Sequence, residues 1–125
     1  MFFLTYPRVD DKDITLRGMF TWMLKLFDLI DNAPPVRVLI VCREEHADGT
    51  PHYHVFVQFI GRLVVNDANA FDYSFNDVEY HCNIQAARSA RAVVKYLLKG
   101  GVYLSNVDDE IVQSLIRSQG NMTPL

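Results

Sequence analysis

The stretch Pro51-His-Tyr-His-Val-Phe-Val-Gln-Phe59 sets two histidines two residues apart in a run of strand-forming residues. In an extended chain residues i and i+2 point to one side, so His52 and His54 project together while Tyr53 and Val55 face the other way. Val36–Glu45 (VRVLIVCREE) reads as the strand before it, with Val38, Ile40, Cys42 and Glu44 on one face. The intervening His46-Ala-Asp-Gly-Thr-Pro51 is rich in turn formers, so the two strands make a hairpin. If that hairpin pairs Glu44 with His52, a carboxylate and two imidazoles converge. Such a mixed set suits Mn²⁺, suits Mg²⁺ less naturally, and leaves zinc open. Three protein ligands leave coordination positions free for a substrate, as a catalytic metal requires.

A second constellation follows. Between Ala86 and Gly101 the chain carries Arg88, Arg91, Lys95 and Lys99 and no acid. At helical spacing the four cations fall within about 80° of one another, a single stripe. Ala90, Val93, Val94, Leu97 and Leu98 make the opposite, apolar face. Tyr96 sits at the edge of the stripe with Lys99 as its i+3 neighbour. A phenol with a pKa near 10 is a poor nucleophile unless its anion is favoured. A neighbouring lysine or metal charge lowers that pKa, and the natural electrophile for such a group is a phosphodiester.

The elements that position these residues follow from periodicity. Phe2–Tyr6 alternates and stops at Pro7, a short strand. From Ile14 to about Asn32, Leu16, Met19, Phe20, Met23, Phe27 and Ile30 recur at helical spacing until Pro34-Pro35 end the segment. The hairpin strands come next. Arg62–Asp77, rich in Asn and Asp, reads as an irregular connection. Val78–Gln85 reads as one half-buried strand with Glu79, His81, Asn83 and Gln85 on its polar face. Ala86–Leu98 is helical and is stopped by Gly100-Gly101. The polar tail from Asn106 holds at most one weak helix around Asp108–Ser118. The expected fold is therefore α+β, ferredoxin-like, with helices packed on an antiparallel sheet whose other face stays open for a partner.

Composition narrows the class. The chain has 125 residues, enough for one core, with 50% hydrophobic and 22% charged residues, a globular balance. No apolar run approaches the roughly 20 residues needed to span a bilayer. The N-terminus lacks a basic n-region and a small-residue cleavage site, so an intracellular protein with no membrane partner is expected. Cys42 and Cys82 make no disulfide framework and read as buried thiols. The formal charge of −3 argues against a nucleic-acid binder when averaged, but the stripe from Arg88 to Lys99 survives the average.

Three ordered motifs, Phe3-Leu-Thr-Tyr-Pro7, Pro51-His-Tyr-His54 and Tyr96-Leu-Leu-Lys99, resemble those of HUH-type rolling-circle replication initiators. The resemblance is to the Rep proteins of geminiviruses and related circular single-stranded DNA viruses, and it covers roughly residues 2–101. It implies a ferredoxin/RRM-like endonuclease domain, placed at 1–105, followed by a polar tail at 106–125 that begins a linker or oligomerisation segment. It implies nicking of single-stranded origin DNA in a stem-loop, with Tyr96 left linked to the 5′ end and Lys99 as the motif's lysine. Glu44, His52 and His54 match the family's divalent-metal ligands, and the Arg43-Glu44 pairing favours Glu44 over Glu45. DNA contacts are expected from Phe3, Thr5, Tyr6 and Arg8, from His81, Asn83 and Gln85, and from Arg88, Arg91 and Lys95.

One departure from the family pattern is Gly100, which stands where an acid often follows the lysine. Family members also carry self-association and helicase segments, so this chain is expected to be an excised nuclease domain or a shorter relative. Its place of action would be a host nucleus for a eukaryotic virus and the cytoplasm otherwise. Tyr103 is set aside as nucleophile because Gly100-Gly101 interrupt the helix before it. Three rival readings remain: a non-catalytic single-strand binder, a metal–water phosphodiesterase indifferent to Tyr96, and a plain structural domain.

Overall fold

The computed structural model describes residues 1–100 and 102–118; Gly101 and the end of the tail from residue 119 lie outside the described residues. Strand β1 (Phe2–Tyr6) is followed by helix α1 (Leu16–Leu29), whose start is capped by Thr15 accepting a hydrogen bond from the Gly18 amide. Met19, Met23 and Phe27, spaced by four, form its buried stripe. Strands β2 (Val36–Glu45) and β3 (Pro51–Phe59) form the hairpin. Gly49 takes φ +84 in the turn, a conformation that favours glycine.

The stretch expected to be irregular and then a single strand divides instead. Tyr73–Phe75 (β4) and Val78–Tyr80 (β5) make a small hairpin of their own, and Asn83–Ala86 (β6) joins the main sheet. Asn76 and Asp77 both have positive φ, at 50 and 63, which is what a tight two-residue hairpin turn requires. Helix α2 (Ala90–Gly100) begins later than the periodicity predicts, after a bend at Arg88, and Ser89 Oγ accepts from the Ala92 amide at 3.1 Å. Strand β7 (Val102–Ser105) was not foreseen, and the weak helix of the tail is α3 (Asp109–Ser118).

The main sheet runs β6-β1-β3-β2-β7, and every neighbouring pair is antiparallel. The expected open face is not what the structure has, because both sides of the sheet carry helices. On one side Leu4, Tyr6, Leu39, Val41, Tyr53, Val55 and Val57 pack with Met19, Met23 and Phe27 of α1. On the other Val38, Ile40, Cys42 and Phe56 pack beneath Val94, Leu97 and Val112 of α2 and α3. The cause is visible in β2, where Val38 to Cys42 are buried without interruption, as in a strand covered on both faces. Helix α2 packs on β2, β3 and β7, so the second face stays open only over β1 and β6.

Candidate active site

Register builds the site. Glu44 pairs with His52 across β2–β3, so the condition for convergence is met. One rung crosses all five strands: Asn83 opposite Thr5, Thr5 opposite His54, His54 opposite Cys42, and Cys42 opposite Tyr103. A second rung sets Gln85 opposite Phe3, Phe3 opposite Phe56, and Phe56 opposite Ile40. Directly paired residues share a face, so all of these look toward the α2 side.

Glu44 Oε1 lies 3.0 Å from His54 Nε2 and 3.3 Å from His52 Nε2. The ligand atoms of the three residues all fall within 4.8 Å of one another. Despite these short distances, Glu44 Oε1 and His54 Nε2 are buried atoms without an aligned hydrogen-bond partner, and His52 Nε2 lies 3.3 Å from the first of them. Buried polar atoms are costly when left unpaired, so a cluster of them aimed together fits a cation that takes their lone pairs. Burial is the main cause that lowers the His54 pKa, with His52 and His46 adding to it and the Glu44 carboxylate opposing. The shift favours the neutral imidazole, the form that ligates a metal. His54 Nδ1 sits 3.4 Å from Thr5 Oγ1, an outer partner that orients the ring.

Tyr96 stands beside this cluster. Its ring is 5.3 Å from that of His54 and 6.0 Å from that of Phe3, and Phe3 lies 5.5 Å from His54, so the three rings form a triangle. Tyr96 is nevertheless 52% exposed. Lys95 and Lys99 are exposed on the same helix, Arg91 is half-buried there, and Arg88 is exposed on the bend before it. Beneath the helix the Cys42 thiol donates to the Leu97 carbonyl at 3.1 Å. Burial, aided by the Glu44 charge, pushes that thiol up to about 11.

The residues expected to meet DNA separate. Phe3 and Thr5 face the site, and the exposed Asn83 and Gln85 continue their rungs to the sheet edge. Tyr6 does not belong with them: it is fully buried on the α1 side and its hydroxyl donates to the Phe71 carbonyl. Alternation within β1 turns Tyr6 away from Thr5, and the motif therefore holds both a surface half and a core half. His81 precedes β6 rather than lying on it, and its Nδ1 meets Asp72 Oδ1 at 2.8 Å. Arg8 is exposed and paired with Asp48 at 2.9 Å. Sequence reasoning passed over His46, whose ring stacks on His52 with centroids 4.3 Å apart. Strand parity gives no signal for it, because His46 lies in the turn just beyond the end of β2.

An antiparallel sheet that presents a carboxylate–imidazole cluster from its central hairpin, with an exposed tyrosine on the helix above, is the arrangement of an HUH-type endonuclease domain. The chain belongs to the family described as the Geminivirus Rep catalytic domain, whose family model matches residues 1–111. It is 35% identical over 106 residues to the Replication-associated protein of Cabbage leaf curl virus (isolate Jamaica), covering 81% of this chain and 28% of that protein. It is 33% identical over 99 residues to Replication-associated protein A of Tobacco yellow dwarf virus (strain Australia), covering 79% of this chain and 30% of that one. Replication-associated protein A of Bean yellow dwarf virus is 35% identical over 99 residues, with the same 79% and 30% coverage. The chain thus spans less than a third of the length of these relatives.

Proposed function

We propose that this chain is a metal-dependent endonuclease and strand transferase that nicks single-stranded origin DNA to initiate rolling-circle replication. The observation that carries this reading is the placement of exposed Tyr96 against His54, a member of the only cluster of three metal-ligating side chains among the described residues. Glu44, His52 and His54 would hold Mn²⁺ or Mg²⁺. Bound there, the ion supplies Lewis-acid polarisation of the scissile phosphate.

The chain's own groups do the rest. The Tyr96 phenolic oxygen gives up its proton and bonds to phosphorus, and the bond from phosphorus to the 3′ oxygen breaks. The departing oxygen takes a proton to become a free 3′-OH, while the 5′ phosphate stays on the tyrosine. One phosphoester bond is exchanged for another, so a 3′-OH can reverse the step and rejoin strands. Lys99 lends positive charge to the phenolate, and Phe3 and His54 hold the ring. Thr5, Phe3, Asn83 and Gln85 offer the open strip to unpaired bases, and Arg88, Arg91 and Lys95 meet phosphates. Origin stem-loop recognition, self-association and a helicase would draw on the remaining length of a full Rep protein, acting in a host nucleus.

The test is a denaturing gel of the protein with labelled hairpin-loop oligonucleotides, family-like nonanucleotide loops among them, and Mn²⁺, with EDTA as control. A metal-dependent band at protein-plus-DNA mass, absent in Tyr96→Phe while DNA binding persists, is expected. Cleavage without an adduct would transfer the chemistry to a metal–water phosphodiesterase. Binding without cleavage across the panel would leave a single-strand binder.

A further inference from the structure

The two histidines of the cluster are held differently. His54 has Thr5 Oγ1 at 3.4 Å from its Nδ1, the kind of outer partner that metal-binding imidazoles ordinarily have. His52 has none: its Nδ1 is buried without a hydrogen-bond partner among the described residues. What lies against its ring is another imidazole, that of His46, at 4.3 Å and an interplanar angle of 29°. His46 is itself fixed, because its Nε2 donates to the Pro7 carbonyl at 2.7 Å. The same two segments are laced together three more times. Arg8 reaches Asp48 and Thr50, each at 2.9 Å, and the Val9 amide donates to the Pro51 carbonyl at 2.9 Å.

We infer that His46 is a positioning residue for the metal-binding ring of His52, its stacked face replacing the outer hydrogen bond that His52 lacks. Register fixes where the His52 backbone sits but leaves the two side-chain torsions free. A planar ring lying on one face of the imidazole removes most of that freedom without competing for either nitrogen. The bond to Pro7 then ties the ring pair to the segment leaving β1, so the Thr5 rung and the His52 ring are braced from one place. Sequence position is consistent with this role, since His46 opens a turn in which the His46 amide donates to Thr50 O at 2.9 Å and the Gly49 amide to His46 O at 2.8 Å. The inference rests on the reading of Glu44, His52 and His54 as a metal site.

The experiment separates stacking from hydrogen bonding. The 125-residue chain and its His46→Ala, His46→Phe and His46→Gln variants are titrated with Mn²⁺ by calorimetry, bound Mn²⁺ is examined by electron paramagnetic resonance, and folding is checked by thermal melting. His46→Ala should weaken Mn²⁺ binding about tenfold or more, the usual effect of losing an outer support. His46→Phe, which keeps a stacked ring and loses the Pro7 bond, should recover most of the affinity, while His46→Gln should resemble His46→Ala. In a His52→Ala background His46→Ala should have no further effect, because the two act as one unit. Wild-type affinity in His46→Ala, or rescue by Gln but not by Phe, overturns the inference. Failure of the wild-type chain to bind Mn²⁺ at all would instead remove the metal site on which it rests.

Discussion

The thiol of Cys42, directly across the ladder from His54, donates to the carbonyl of Leu97, the residue next to Tyr96. Carbonyls in the last turn of a helix lose their intrahelical partners, and Leu97 lies in the last turn of α2. One buried side chain therefore satisfies the helix end and fixes the tyrosine helix to the strand that carries Glu44. Cys42→Ala should lower stability by about 1–3 kcal/mol in urea melts, since it leaves a buried acceptor unpaired. Unchanged stability would mean that apolar packing alone holds the helix down.

Both buried thiols also set a pH limit. Cys42 and Cys82 are each raised by burial from an ordinary 9.0 to about 11. Between those values the unfolded chain has released thiol protons that the folded chain still holds, so the unfolded state is favoured as pH rises. Stability should be flat below about pH 8.5 and fall through the window from 9 to 11. Chemical denaturation at pH 8, 9 and 10 measures it, and a Cys42→Ala, Cys82→Ala double variant should have a shallower fall.

The proposed metal ligands make a sharper prediction. His52→Ala or His54→Ala should each remove most Mn²⁺ binding in a calorimetric titration and the metal-dependent nicking with it. Thr5→Val, which keeps shape and removes the hydroxyl near His54 Nδ1, should weaken Mn²⁺ on the order of tenfold. Full affinity in Thr5→Val would leave His54 oriented by its packing against Phe3 and Tyr96 alone.

The basic residues around the start of α2 are tested by salt. If Arg88 and Arg91 meet phosphates, replacing either by Ala should weaken single-strand binding and reduce the slope of log affinity against log salt by roughly 0.7. Fluorescence anisotropy from low to moderate salt reads this directly. An unchanged slope would make the stripe ordinary solvated surface.

Tyr6 and Tyr53 are paired across β1–β3 and both are fully buried, yet their hydroxyls are held differently. The Tyr6 hydroxyl donates to Phe71, whereas the Tyr53 hydroxyl has no aligned partner among the described residues. Tyr6→Phe should cost about 1–3 kcal/mol and leave DNA binding unchanged, while Tyr53→Phe should be close to neutral or stabilising. Thermal melts of the two variants decide it. A loss of DNA binding in Tyr6→Phe without loss of stability would restore Tyr6 to the interface.

How much of this was legible in the sequence depended on the range of the physics involved. The Glu44, His52 and His54 cluster needs only strand parity and one hairpin, and both are local. Helix α1 was equally readable, because Met19, Met23 and Phe27 repeat along fourteen residues. The three-residue strands β4 and β5 were not, since no period can be established over so short a run. Nor was the full closure of the second face, where β7 extends the sheet beyond β2 and α3 packs beside α2 to seat Val112 in the core. Parity alone sorts Tyr6 from Thr5, whereas a motif match treats the two residues together. The stack of His46 on His52 lies in a turn, where neither helical nor strand spacing applies.

The rung from Asn83 through Thr5, His54 and Cys42 to Tyr103 has a consequence for how this chain tolerates change. Strand pairing alternates with a period of two, so removing one residue from β1 would turn Leu4 and Tyr6 toward solvent and drive Phe3 and Thr5 into the core. A deletion of that kind spares Glu44, His52, His54 and Tyr96, yet it disassembles their surroundings. Strand length is therefore as strict a specification of this site as the identity of His54. Changes in chain length should be tolerated in the turns, where a change in count leaves the alternation of the strands intact.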